Sequence, residues 1–234
     1  MRRTSRAASA PAPGENEVKT KAITVLRAAR DVFLTHGFSA ATTDMVQREA
    51  GVSKATVYAH YPNKEALFVA VIEAECATFV TTMRAIEFRP GKLRETLTAL
   101  ARAYLNVVLS PIGLALFRVV IAEAPRFPNL ARTLYLAGPQ VIATMVAGHL
   151  EDAAASGEVD LAELGPEAAA NLFINLVRSE PQLHCLTHPN AAASATQINQ
   201  WTNIAVTTFL RAYGVTRSRA SSRRQSSAQK QIDR

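Results

Sequence analysis

Between Ser53 and Lys64 the chain places two lysines, a histidine, two tyrosines, a serine and a threonine, with no acid among them. Such a set is rich in hydrogen-bond donors and suits phosphate oxygens. Ammonium groups supply charge, while hydroxyls and an imidazole supply direction. Taken singly, each is an ordinary exposed polar residue; taken together at this spacing they read as one face turned toward a nucleic acid. Tyr58 and Tyr61 have a competing role, packing between short helices, and a tyrosine can pack its ring while presenting its hydroxyl.

These groups need a scaffold, and the sequence around them supplies one. Thr42 can cap a short helix through Met45, Val46 and Ala50, with Asp44 favourable in its first turn. Gly51 can take the left-handed conformation that ends it, and Ser53 can cap a second short helix carrying Lys54, Thr56, Tyr58 and His60. The pair predicts a helix-turn-helix. A preceding helix from about Glu17 to His36, apolar at Ala22, Val25, Leu26, Ala29, Val32 and Phe33 and ended by Gly37, gives it a floor. Pro62 stops the second short helix, and Asn63 caps another that runs to about Ala85 as a link to the second domain.

Beyond Pro90-Gly91 the apolar spacing stays helical. One helix carries Leu93 to Val108, another starts at Pro111, and a long helix bent at Gly138-Pro139 runs on to about Ser156. Pro166 opens a helix that is apolar on nearly every face from Ala169 to Val177, and a last helix spans about Ala192 to Tyr213. No strand-period alternation or internal repeat occurs, so the predicted fold is all-α. The organisation expected is a basic disordered arm (1–16), a helix-turn-helix domain (17–72), a helical ligand-binding and dimerisation domain (73–213) and a basic disordered tail (214–234). The two final hydrophobic helices predict a homodimer through a four-helix bundle, with Leu172, Leu176, Ile198, Trp201, Ala205 and Phe209 at its interface.

Charge supports only a local reading. The net charge is +7 over 234 residues, but residues 1–21 and 214–234 together carry +8, leaving residues 22–213 at −1. Arg2, Arg3 and Arg6 could touch phosphates or belong to a solvated tail. Two cysteines, Cys76 and Cys185, exclude a disulfide framework and suit a reducing cytoplasm. The N-terminus lacks a signal-peptide core, and no run approaches the uninterrupted apolar length of a membrane span, so a soluble cytoplasmic protein without a membrane partner is expected. His184-Cys185-Leu186-Thr187-His188 could supply metal ligands, but without a second cluster it reads as a polar loop. No nucleophile elbow, phosphate-binding glycine loop or zinc-protease motif occurs, so neither an enzyme nor a cofactor is expected.

These residues resemble the TetR family of bacterial transcriptional regulators. The matching set is Ala28-Ala29-Arg30-Asp31-Val32-Phe33, His36-Gly37-Phe38, Thr42-Thr43, Ala50-Gly51-Val52-Ser53-Lys54, Val57-Tyr58, Tyr61 and Asn63-Lys64-Glu65-Ala66-Leu67, covering about residues 18–72. Leu116-Phe117-Arg118-Val119-Val120 with Glu123-Ala124-Pro125-Arg126-Phe127-Pro128 is similar to the AefR-like subgroup. The resemblance implies a double-stranded DNA operator as partner. Thr43 would touch phosphate, and Ser53, Lys54, Ala55 and Thr56 would meet the major groove. Tyr58, His60, Tyr61 and Lys64 would grip the backbone. Thr56 can reach a base edge or a thymine methyl, and the Ala55 methyl can contact the latter. Ala55 stands where the family often has Gly, and Tyr61 where it often has Phe, so base preference does not carry over.

The expected function is a homodimeric repressor released from a palindromic operator by a small-molecule effector. Tyr104, Phe117, His149, Phe173 and Arg178 are candidate effector contacts, each with a plain core or interfacial role as the alternative. Two other readings stay open: a regulator without a small effector, and an interaction module whose helix-turn-helix no longer reads DNA.

Overall fold

The computed structural model describes residues 13–188 and 192–215. Ten helices occur among them: α1 (Pro13–Ala40), α2 (Thr43–Ala50), α3 (Lys54–His60), α4 (Lys64–Arg84), α5 (Leu93–Val108), α6 (Pro111–Glu123), α7 (Pro128–Ala137), α8 (Pro139–Ala155), α9 (Pro166–Thr187) and α10 (Ala195–Tyr213). The described residues form no strand, and the one sheet-like pairing is an isolated bridge between Val159 and Gly214. The fold is all-α. Most of the expected arm and tail lies outside the described residues; of the arm, Pro13 to Asn16 already belong to α1.

The local signals act as the sequence implies. The Thr42 hydroxyl accepts from the Met45 amide, Ser53 from Thr56 and Asn63 from Ala66, so α2, α3 and α4 each start on a side-chain cap. Gly51 closes α2 with φ 64°, and Gly37 breaks the end of α1 with φ 77°. At both places an L side chain would be strained.

Two cores share α4. Its first half gives Leu67, Phe68, Val71, Ile72 and Cys76 to a core completed by α1, α2, α3, α6 and α7. Its second half gives Phe79, Val80 and Met83 to a core completed by α5, α8, α9 and α10. The boundary expected near residue 72 therefore falls inside a continuous rod. α4 is long and apolar enough by length and composition to cross a membrane, although Glu73 and Glu75 interrupt its apolar run. Both cores lie against it, as a buried helix requires.

Three expectations need correction. The long helix expected across Gly138-Pro139 is two helices, because Pro139 has no amide to donate back along the chain and Gly138 leaves helical geometry at φ −114°, ψ −88°. The segment His184–His188 is no loop: α9 continues past Pro181 to Thr187, held by burial of Pro181, Gln182 and Cys185. The interface expected on α10 falls mostly on its inward face. Ile198, Thr202, Ala205, Val206 and Phe209 point into the protomer, whereas Ile204 and Thr208 face outward.

One long-range cap completes the second core. Lys92 at the start of α5 offers no side-chain cap. Glu158, from the turn after α8, accepts the Gly91 and Leu93 amides at 2.8 and 3.1 Å in its place. Val215 then donates to the Glu158 carbonyl, fastening the chain after α10 to the same turn.

Candidate nucleic-acid interface and sensor cavity

The helix-turn-helix surface carries most of its donors exposed, and several are already held in place. Ser53 Oγ and Thr56 Oγ1 lie 2.8 Å apart, which fixes both hydroxyls at the start of α3. Tyr58 is exposed, and its hydroxyl lies 3.2 Å from Thr43 Oγ1, joining α3 to the start of α2. Lys54 Nζ is 2.8 Å from Asp44 Oδ1, and this hydrogen bond raises the lysine pKa. Both side chains are more than half exposed, so the pair is exchangeable and phosphate can displace the carboxylate. Ala55 is exposed, His60 half-buried beside Tyr61, and burial raises the Tyr61 pKa.

Lys64 departs from its expected place at the phosphate backbone. Its ammonium donates to the carbonyls of Phe38, Ser39 and Ala41 at 2.9, 3.3 and 3.1 Å and sits 4.6 Å from the centre of the Phe38 ring. Three donors thus meet three acceptors inside the protein. The lysine staples the start of α4 to the turn between α1 and α2 instead of offering its charge outward.

That turn is gripped from a second side. Glu123 Oε1 accepts the Ser39 amide at 3.0 Å, Arg126 Nη1 donates to Ser39 Oγ at 3.2 Å, and Phe127 meets Phe38 edge-on at 4.8 Å. Phe38 also stacks on Phe68 of α4. The corner between α6 and α7 therefore holds the same turn that Lys64 holds. Sequence reasoning misses this clamp, whose residues are visible there only as a subgroup resemblance.

The other ends of these helices wall a cavity of about 980 Å³ between α4, α5, α6, α7, α8 and α9. Of the expected effector contacts, Tyr104, Phe117 and Arg178 line it. Phe173 and His149 do not. Phe173 is buried against Phe209 at 5.3 Å, and His149 lies half-buried on another face of α8, where burial lowers its pKa. Phe79, Leu134 and Gln182 line the cavity although their sequence context carries no sign of it. Cys76 lines it too, its thiol pushed up to about 11 by burial. The nearby charge of Arg178 opposes the rise in the Tyr104 pKa that burial causes.

The expected dimer contacts divide. Ile198, Ala205 and Phe209 are buried inside the protomer and cannot meet a second copy without unpacking. Leu172 and Leu176 are exposed on α9 with Leu183 beyond them on the same face, and the half-buried Trp201 and exposed Ile204 lie on α10.

Residues 25–71 match the profile described as "Bacterial regulatory proteins, tetR family", and residues 95–215 match "AefR-like transcriptional repressor, C-terminal domain". The chain is 27% identical over 149 residues to the HTH-type transcriptional regulator UidR of Escherichia coli K12, covering 62% of this chain and 72% of that protein. The solved flavonoid-responsive regulator FrrA is 35% identical, with TM-score 0.67, over 84% of this chain and 98% of its own. A TetR-family regulator from Mesorhizobium loti MAFF303099 superposes with TM-score 0.76 at 24% identity, over 85% of this chain and 98% of its own, a likeness of fold.

Proposed function

We propose that this chain, which belongs to the TetR family of DNA-binding transcriptional regulators, is a homodimeric repressor that leaves a palindromic operator when a small molecule fills its cavity. The observation that carries the reading is the double use of α4, α6 and α7. The same three helices wall the cavity and support the core beneath α2 and α3.

DNA binding starts from α3. Lys54, Tyr58 and the Ser53-Thr56 pair present donors to phosphate and base edges, and Thr43 supports Tyr58. Two copies must place two such helices in successive major grooves, about 34–36 Å apart. The dimer face is the outward stripe of Leu172, Leu176 and Leu183 with Trp201 and Ile204, an exposed apolar surface that a second copy would cover.

Release follows from geometry. A ligand that wedges α6 and α7 away from α4 moves the corner holding Ser39 and Phe38, and with it the turn that orients α2 and α3. It must bind the displaced arrangement more tightly than the DNA-competent one, since equal affinity shifts no population.

Selection of binding sites from random duplex DNA, followed by mass measurement of the complex, tests the first half. An enriched two-fold symmetric site bound by an even number of copies is expected. Recovery of no symmetric site would remove the repressor reading. Competition of small molecules against the selected operator tests the second half.

A further inference from the structure

The cavity wall carries one cation that no carboxylate pairs with among the described residues. Arg178 lies on α9, half-buried, and among the described residues it forms no ion pair. Its one side-chain hydrogen bond there is to a neutral group, Asn175 Oδ1, at a long 3.4 Å, and it faces the Tyr104 hydroxyl of α5, whose pKa its charge lowers. One turn further along α9, on the same face, Gln182 is only 8% exposed, lines the cavity and has no side-chain hydrogen-bond partner among the described residues. A partly desolvated guanidinium without a carboxylate is unfavourable until an anion pairs with it, and the Gln182 amide at the cavity surface has free donors to offer.

We infer that the cavity binds an organic carboxylate with an apolar body, its charged head held by Arg178, Gln182 and Tyr104. This rests on the reading of the cavity as the effector site. The planar fork of Arg178 matches two carboxylate oxygens, and the Gln182 amide offers a further donor. The Tyr104 hydroxyl, near Arg178 on the facing helix, can donate its proton to the same head. A carboxylate suits this set better than a phosphate dianion, because one cation balances one negative charge.

The rest of the wall sets the ligand's direction. Phe117, Leu116, Ile121 and Leu134 give the body an apolar surface. Three acids also line the cavity: Glu75, Glu151 and Glu167. Glu75 lies 3.5 Å from Arg30 and is balanced by it. Glu167 stands eleven residues before Arg178 on α9, about 16 Å along the helix axis. Glu151, near the end of α8, lies on the helix packed antiparallel to α9 and toward that same end. A negative head is repelled there and drawn to Arg178.

The test uses calorimetry on the purified full chain with decanoate and 2-naphthoate, each beside the neutral primary amide of the same skeleton. Each acid should bind about ten-fold or more tighter than its amide, as a charge-assisted pair requires. R178Q should abolish that ratio while leaving the amide's affinity within about three-fold, which also reports that the cavity is intact. Q182L should lower the acid's affinity more than the amide's. Equal affinity of acid and amide for the unmodified chain, a ratio that survives R178Q, or no acid saturating by about 1 mM would each overturn the inference. Should R178Q fail to fold, the ratio in the unmodified chain still decides. An acid that binds through Arg178 yet leaves operator affinity unchanged would overturn the effector reading and leave this one standing.

Discussion

Replacing Lys64 with Met separates a structural lysine from a DNA-contacting one. Its ammonium donates to the Phe38 and Ala41 carbonyls at 2.9 and 3.1 Å, and both residues are buried, so water replaces neither bond easily. The bond to Ser39 is longer, at 3.3 Å, and Ser39 is exposed, so its loss costs little. Two charge-assisted bonds and the contact over the Phe38 ring together imply a loss of about 2–4 kcal/mol for K64M. Urea unfolding reads that directly, and the thermal midpoint should fall by about 5–15 °C. K54M is the counterpart. Its side chain is paired only with an exposed carboxylate, so stability should change by less than about 0.5 kcal/mol. Removing it should lower the salt slope of DNA binding by about one, while K64M should leave that slope unchanged. A K64M protein with unaltered stability and a salt slope lower by one would refute the assignment, placing the ammonium on phosphate.

Three further substitutions probe other features. D44N frees Lys54 from its 2.8 Å partner and removes a charge that repels phosphate; anisotropy titrations should show tighter binding to operator and unrelated DNA alike, by about three- to ten-fold at 0.1 M salt. E158A strips the Gly91 and Leu93 amides of their acceptor and should cost about 1–3 kcal/mol in urea unfolding, with E158Q costing less. For His149, burial lowers the pKa against Asp152 and the Ile86 carbonyl, which raise it. The folded chain therefore prefers the neutral ring. That contribution is complete above the ordinary value of 6.5 and is lost as pH falls below it. H149Q should flatten the pH dependence of stability as pH falls below the ordinary value of 6.5; an unchanged slope would assign it elsewhere.

The parts readable in sequence are those whose hydrogen bonds close within a few residues. Thr42, Ser53 and Asn63 each cap a helix through an amide three positions ahead, and Gly51 and Gly37 end helices by backbone conformation alone. Lys64 is misplaced by local reasoning because its acceptors lie 23 to 26 residues earlier, across a turn whose shape only packing sets. The same distance hides the Ser39-Glu123-Arg126 clamp and the Glu158 cap. On α10, apolar spacing marks a helix but not which of two adjacent stripes faces inward, and Phe173 settles that by taking Phe209. Arg178 stands out as a charge in an apolar helix. Gln182 does not, since nothing local tells an unpartnered amide from an exposed one.

The sharing of α4 between two cores makes it a beam with a fulcrum. Its 21 residues span about 31 Å, and the changeover between Cys76 and Phe79 leaves an arm of about 20 Å toward Asn63. A rotation of about 5° about that fulcrum displaces the far end by about 2 Å. Opposite displacements in two copies then alter their spacing by about 4 Å, more than a tenth of one turn of the double helix. Gearing of this kind converts a change in cavity volume no larger than a few methyl groups into a misfit that both halves of an operator feel at once.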